Sequence, residues 1–228
     1  MCVEKKVIQM KKSEKLDIIY EDKNLLVVNK PAHLLTIATA DEKINTLYHK
    51  AFEYIKKKNK NNKIFIVHRL DKDTSGIVLF AKSQELKEML QNDWNNLAAT
   101  REYIAVVEGK VDKKGTIKEY LAENKAVMTY KTTPDKGKLA ITHYEPLKGT
   151  KGQTVLKVSI DTGRKNQIRV GMMNIGHPII GDKKYGSTKN PLRRICLHAS
   201  KLVLTNPMNK QTYTFEAKTP QEFKIFEI

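Results

Sequence analysis

Apolar residues in this chain fall into short runs separated by charged and turn-forming clusters. Two of the runs, IFIV at 64–67 and IVLFA at 77–81, flank the polar stretch HRLDKDTSG at 68–76. β-Branched runs on both sides of a Gly-terminated polar segment predict strand, loop, strand. His68, Arg69, Asp71 and Asp73 are thereby placed at the end of a buried sheet, where a rigid scaffold can hold reactive groups. Upstream, 17–20 and 25–29 predict two short strands around the turn 21–24. Lys30-Pro31 closes the second, because proline cannot continue a ladder.

Helical spacing appears twice before the middle of the chain. Leu47, Ala51 and Ile55 repeat every four residues behind Asn45 or Thr46 as cap, predicting a helix to about Lys58. Ser83 caps a second helix carrying Leu86, Met89 and Leu90. REYIAVVEG at 101–109 is almost continuously apolar and predicts a central strand. AVMTYKT, LAITHYEPL and TVLKVSI, separated by PDKG and GTKGQ, predict an antiparallel meander between 116 and 160. In DTGRKNQIRVGMMNIGHPIIGDKKYG at 161–186, Asn166 suits the cap of a helix over 167–175, with Ile168, Met172 and Ile175 buried and Gly176 as its stop. The apolar parts of GHPIIGDKKYG and of LHASKLVLTNP at 197–207 read as further strands. The pattern is that of an α/β (α+β) domain over 16–228, with a mixed, largely antiparallel sheet, flanking helices and a basic cleft. A short polar arm, 1–15, precedes it.

Composition changes this picture in one respect. At 228 residues and 40% hydrophobic content the chain can bury a core and is not of disordered type. No apolar run approaches the roughly 20 residues that span a bilayer. MCVEKKVIQMKK carries lysines where a signal peptide has its apolar core, so the expected location is cytoplasmic, away from membranes. Cys2 and Cys196 are too few for a disulfide framework, and Cys196 reads as a small core residue. The six histidines never fall at zinc-ligand spacing, so no metal is expected. Charge is the informative number: 42 Lys and Arg against 25 Asp and Glu leave +17. A polyanionic partner profits from such an excess. A generally lysine-rich composition is the plain alternative, as a solvated loop is for KKKNKNNK at 56–63.

Spacing alone leaves the chemistry open. Asp71 and Asp73 are turn residues bonding the backbone two positions on, with Arg69 as an ion-pair partner, or one of them is a catalytic carboxylate. Tyr103 reads equally as an ordinary strand tyrosine. Arg169 falls in the first turn of its helix, where a cation gains nothing from the dipole; a salt bridge or a functional carboxylate would account for it. A Ser75–His68 nucleophilic pair lacks the G-x-S-x-G elbow.

HRLDKDTSG resembles the signature of the RluA-type family of RNA pseudouridine synthases. DKNLLVVNKPAHLL, REYIAVVEG, QIR, GHPIIGDKKYG and LHASKLVLTNP resemble its other motifs, in the family's order, from about 17 to 207. The resemblance implies a pseudouridine synthase catalytic domain without a separate N-terminal RNA-binding module. It implies an isomerase that acts, without cofactor or metal, on uridine in a structured rRNA or tRNA. Asp71 is then the catalytic residue, Arg69 helps the uridine out of its stack, and Tyr103 meets the extruded base. Arg169 lies beside Asp71 and favours its ionised form. His68, Thr74, Arg164, Lys165 and Gln167 are further candidate RNA contacts, and a monomer is expected. The family usually has Gly where His33 stands, and commonly His at Asn166 and Gly171, so the turn after Pro31, RNA contacts or local packing should differ there. Two rivals remain. A catalytically silent RNA-binding or folding factor would bind without product, and a nucleoside or sugar hydrolase would release free base.

Overall fold

The computed structural model describes residues 16–150 and 152–227; the arm 1–15, with Cys2, lies outside them. The chain runs β1 (Ile18–Glu21), β2 (Leu25–Lys30), α1 (Leu47–Lys58), β3 (Phe65–Ile66), β4 (Ser75–Ala81), α2 (Gln84–Asn92), α3 (Trp94–Leu97), β5 (Thr100–Glu108). It continues as β6 (Gly115–Glu123), β7 (Thr129–Thr132), β8 (Lys138–Gly149), β9 (Gln153–Ile160), α4 (Gln167–Asn174), β10 (Leu197–Thr205) and β11 (Thr212–Glu216), with short 3-10 turns at Lys183–Tyr185 and Gln221–Phe226. All strands join one mixed sheet in the order β1-β2-β4-β10-β5-β9-β8-β6-β7, with β3 added to β4 and β11 to β10. Among the described residues β4 and β10 are the one parallel pair, so the sheet is largely antiparallel, as expected. No described helix is long and apolar enough to cross a membrane.

The uninterrupted apolar runs of β2 and β4 reflect burial on both faces. Leu25, Val27, Ile77 and Leu79 pack with Leu86 and Leu90 of α2. Their alternates Leu26, Val28, Val78 and Phe80 pack with Leu47, Ala51 and Ile55 of α1. Both helices start at the expected hydroxyl caps, with Thr46 Oγ1 accepting from the His49 amide and Ser83 Oγ from the Leu86 amide. Cys196 is buried in the core beside β5 and β9, and burial pushes its thiol up to about 12.

Three expectations need correction. The strand 64–67 shrinks to Phe65–Ile66, because the Leu79 amide that would extend the ladder donates instead to His68 Nε2 at 3.1 Å. The stretch 116–160 is not a simple meander: β7 and β8 lie on opposite sides of β6, Tyr120 facing Thr132 on one side and Leu139 on the other. β8 and β9 pair as antiparallel neighbours, as expected, whereas PDKG joins β7 and β8, which do not pair. The apolar part of GHPIIGDKKYG forms a single bridge, Ile179 to Val107, since left-handed Gly176 and Gly181 cut it on both sides.

β4 is pinned where it begins. Ser75 Oγ lies 2.8 Å from His198 Nδ1 and accepts from Arg194 Nη2 at 2.6 Å. Burial, with the Arg194 charge in the same direction, pulls His198 down to about 4, against the bond to the Ala217 carbonyl. The unfolded chain therefore takes up this proton first. The stability that neutral His198 contributes is complete above the ordinary histidine pKa of about 6.5 and is lost as pH falls towards about 4. Urea unfolding across that window is expected to show the decline, and His198→Asn to flatten it; an equal slope in the variant would contradict a neutral buried imidazole.

Candidate active site

The loop between β3 and β4 is fastened on both sides of Asp71. Thr36 Oγ1 donates to the Leu70 carbonyl at 2.7 Å and accepts from the Leu70 amide at 3.2 Å. Lys30 Nζ donates to the carbonyls of Pro31, Leu34 and Lys72 at 2.9, 2.7 and 2.9 Å. Leu26, Val28 and Lys30 share one face of β2, which carries this lysine into the interior. Burial pulls the amine down to about 7, opposed by the charges of Asp73 and Asp71. Gly76 closes the loop at φ +114°, and a Cβ there would stand 2.1 Å from the Ala199 carbonyl oxygen. Only glycine lets β4 lie against β10 at this point.

The two loop carboxylates part company. Asp73 Oδ1 sits 2.9 Å from His33 Nδ1 near the surface. His33 adopts φ +63°, the left-handed conformation that glycine takes freely, so the turn after Pro31 has a glycine-like backbone despite the side chain. Asp71, about a quarter exposed, turns the other way and meets Arg169 Nη1 at 3.3 Å.

Arg169 is buried and almost fully committed. Its Nε and Nη2 donate to the two oxygens of buried Asp182 at 2.6 and 2.8 Å, and its Nη1 donates to Asn166 Oδ1 at 2.9 Å. The guanidinium also stacks 5.0 Å from the centre of the Tyr185 ring. Although burial opposes the charge, Asp182 and then Asp71 hold its pKa above the usual arginine value. A cation in a first helical turn is thus explained by two carboxylates. Asn166 stands at the expected N-cap position of α4, but its side chain makes no capping hydrogen bond. It is left-handed, φ +53°, and its side chain points inward to Arg169 and to the Tyr185 hydroxyl, 3.0 Å from Nδ2. Gly171 lies against β6: a Cβ would be 3.3 Å from Ile117 Cδ1 and 3.5 Å from Glu119 Oε1. A histidine there would have to displace both.

A cleft beside the loop is lined by Arg69, Trp94, Arg101, Tyr103, Gly163 and Lys201, among others. Arg69 is exposed and makes no hydrogen bond or ion pair among the described residues. Tyr103 stands on β5 with its hydroxyl unbonded among the described residues; burial pushes the phenol up to about 12 against the nearby Arg101 charge, with the Asp71 charge adding to the rise. The remaining candidates divide. Arg164 and Lys165 face solvent, loosely tied to the Leu139 carbonyl and Glu123. Gln167 does not: it is 3% exposed and uses both side-chain ends internally, with Thr162, the Arg164 amide, Ile141 and Thr142. Thr74 is buried at the foot of β4. His68 stacks on Trp94 at 4.8 Å, gives its Nε2 to Leu79, and is pulled down to about 4 by burial. Gln167 and Thr74 are thus scaffold residues, whereas His68 is half-buried and lines the cleft. Lys30, Asp182 and Tyr185 escaped sequence reasoning; only the strand alternation at Lys30 could have signalled one of them. No group of three or more His, Cys, Asp or Glu side chains capable of holding a metal occurs among the described residues.

This architecture, with a carboxylate loop leading into β4 and facing an arginine on α4, is the pseudouridine synthase fold. Human RNA pseudouridylate synthase domain containing 4 superposes with a TM-score of 0.75 at 22% identity, over 91% of this chain and 90% of that one. Human RNA pseudouridylate synthase domain containing 1 gives 0.73 at 22%, over 94% and 87%. A family model described as RNA pseudouridylate synthase matches residues 24–174. The uncharacterized RNA pseudouridine synthase YhcT of Bacillus subtilis is 32% identical over 212 residues, 92% of this chain and 70% of that protein. Ribosomal large subunit pseudouridine synthase D of Haemophilus influenzae is 32% identical over 222 residues, 91% and 68%. The chain belongs to the RluA-type family of RNA pseudouridine synthases, enzymes that isomerise uridine in RNA to pseudouridine.

Proposed function

We propose that this enzyme modifies specific uridines of a structured ribosomal RNA, with Asp71 as the catalytic carboxylate acting on a flipped-out nucleotide. One observation carries the assignment: of the two loop carboxylates, Asp71 alone faces the buried, doubly anchored Arg169 while remaining about a quarter exposed. The reaction breaks the bond from uracil N1 to C1′ and forms one from C5 to C1′. The C5 proton leaves and N1 gains a proton, so atoms and electrons balance without redox chemistry. A carboxylate serves here as a nucleophile or as stabiliser of a cationic centre, and both roles need it ionised. Arg169 places a fixed positive charge 3.3 Å from that carboxylate, which offsets part of the cost of stripping water from an anion when RNA covers it. Arg69, exposed at the cleft mouth, is the residue for extruding the uridine, an event costing a few kcal/mol. Tyr103 packs against the base; a phenol pushed to about 12 holds its proton at neutral pH, which suits donation better than removal of the C5 proton.

Ribosomal RNA is preferred over tRNA on the names of relatives such as the Haemophilus influenzae protein. The same reading takes 16–228 as one catalytic domain, supported by the single sheet, working as a cytoplasmic monomer. Unmodified large-subunit rRNA and tRNA transcripts, incubated with the protein and digested to nucleosides, test it by mass spectrometry. Pseudouridine in the rRNA is expected. Product in tRNA alone would overturn the substrate assignment, and salt-sensitive binding of both without product would favour the silent RNA-binding factor.

A further inference from the structure

Arg101 is a buried cation with no carboxylate of its own. It is 7% exposed, and β5 pleating places it on the same face as Tyr103, two residues on. Its Nη2 donates to the Asp161 carbonyl at 2.6 Å, while its Nε is buried with no partner and its Nη1 makes no hydrogen bond among the described residues. Two acids lie near. The Asp161 carboxylate is engaged with His143 Nε2 at 2.9 Å, and Glu102 lines the same cleft without an ion pair to Arg101. Beside Nη1 there is room: a Cβ built on Gly163 would meet only that atom, at 3.6 Å. Burying a guanidinium with an orphaned donor is costly. An anionic oxygen entering the cleft beside Nη1 would supply an acceptor for that nitrogen and a countercharge for the whole guanidinium.

We propose that Arg101 is the seat of an RNA backbone phosphate, gripping the strand next to the nucleotide that Tyr103 receives. A planar, permanently charged guanidinium suits a phosphate oxygen. A phosphate held here, with Arg69 at the mouth and Tyr103 behind, would fix the extruded nucleotide from the side of its backbone. The proposal rests on the reading of Tyr103 as the base platform. The bland alternative is that Arg101 merely props the loop at Asp161.

A fluorescein-labelled oligouridylate 12-mer, followed by anisotropy over a salt series, separates the two. Arg101→Gln is expected to weaken binding about ten-fold at low salt and to reduce the slope of log Kd against log salt by about 0.7, the increment for one phosphate on a single strand. Arg101→Lys is expected to keep the slope. A folded Arg101→Gln protein with the wild-type slope overturns the proposal, as does an equal affinity loss in both variants with unchanged slopes, the mark of a lost prop. Should Arg101→Gln fail to fold, the wild type decides: the Arg101 Nε–H resonance should shift with the phosphodiester 12-mer and stay in place with its uncharged methylphosphonate counterpart. A shift with both, or with neither, contradicts a phosphate seat. Absence of pseudouridine from every transcript would sink the proposed reaction and leave these slopes as they are.

Discussion

Asp182→Ala destabilises the protein by about 3–5 kcal/mol, the cost of leaving a buried charge without its partner. In a chain of this size that lowers the melting midpoint by on the order of 10 °C. The effect is large because Arg169 is 7% exposed and has both long edges of its guanidinium spoken for, one of them entirely by Asp182. Asp182 is itself 1% exposed, and its backbone carbonyl accepts from the amides of Tyr185 and Ser187, so the turn that carries it has no room to swing another acid in. Among the described residues, the one other carboxylate bonded to the guanidinium is Asp71. Arg169 is therefore expected to be drawn towards Asp71, and product formation should fall with stability. Thermal unfolding of Asp182→Ala, Arg169→Leu and the double variant checks the coupling. The double variant should lose clearly less than the sum of the singles; additive losses would mean that the pair is not a unit.

Asp71→Asn has the opposite profile. Its side chain makes one long hydrogen bond to an arginine held by other groups, and its loop is fastened through backbone atoms at Leu70 and Lys72. The isosteric amide should therefore leave the melting midpoint within a few degrees and RNA affinity within a few-fold. Pseudouridine formation should fall by about 10⁴, as when the reacting carboxylate of an enzyme is removed. Melting and anisotropy on the same preparation check the first half. A collapse of the fold would make Asp71 a structural residue after all.

Which features the sequence revealed follows from how local their causes are. The caps at Thr46 and Ser83 and the four-residue repeat of α1 depend on neighbours within a turn, and they stand where expected. The doubly buried β2 and β4 announce themselves as unbroken apolar runs. The placement of β7 does not, because a four-residue edge strand carries no mark of which partner it will choose. Asp71 and Arg169 were legible through the HRLD and QIR motifs. Asp182 was not: an acid between glycine and two lysines reads as surface until the fold buries it. Gln167 and Thr74 erred in the reverse direction, polar residues beside a functional loop that turn inward to build it. Arg101 hid in plain view in REYIAVVEG, where an apolar strand drew attention to the tyrosine alone.

The most direct measurement is tritium release from RNA labelled at uridine C5, wild type against Asp71→Asn, under single-turnover conditions. The account predicts release by the wild type, matched by pseudouridine in the product, and none above background by Asp71→Asn although it binds the same RNA. Release at comparable rates by both proteins would contradict it, and would move the chemistry away from Asp71.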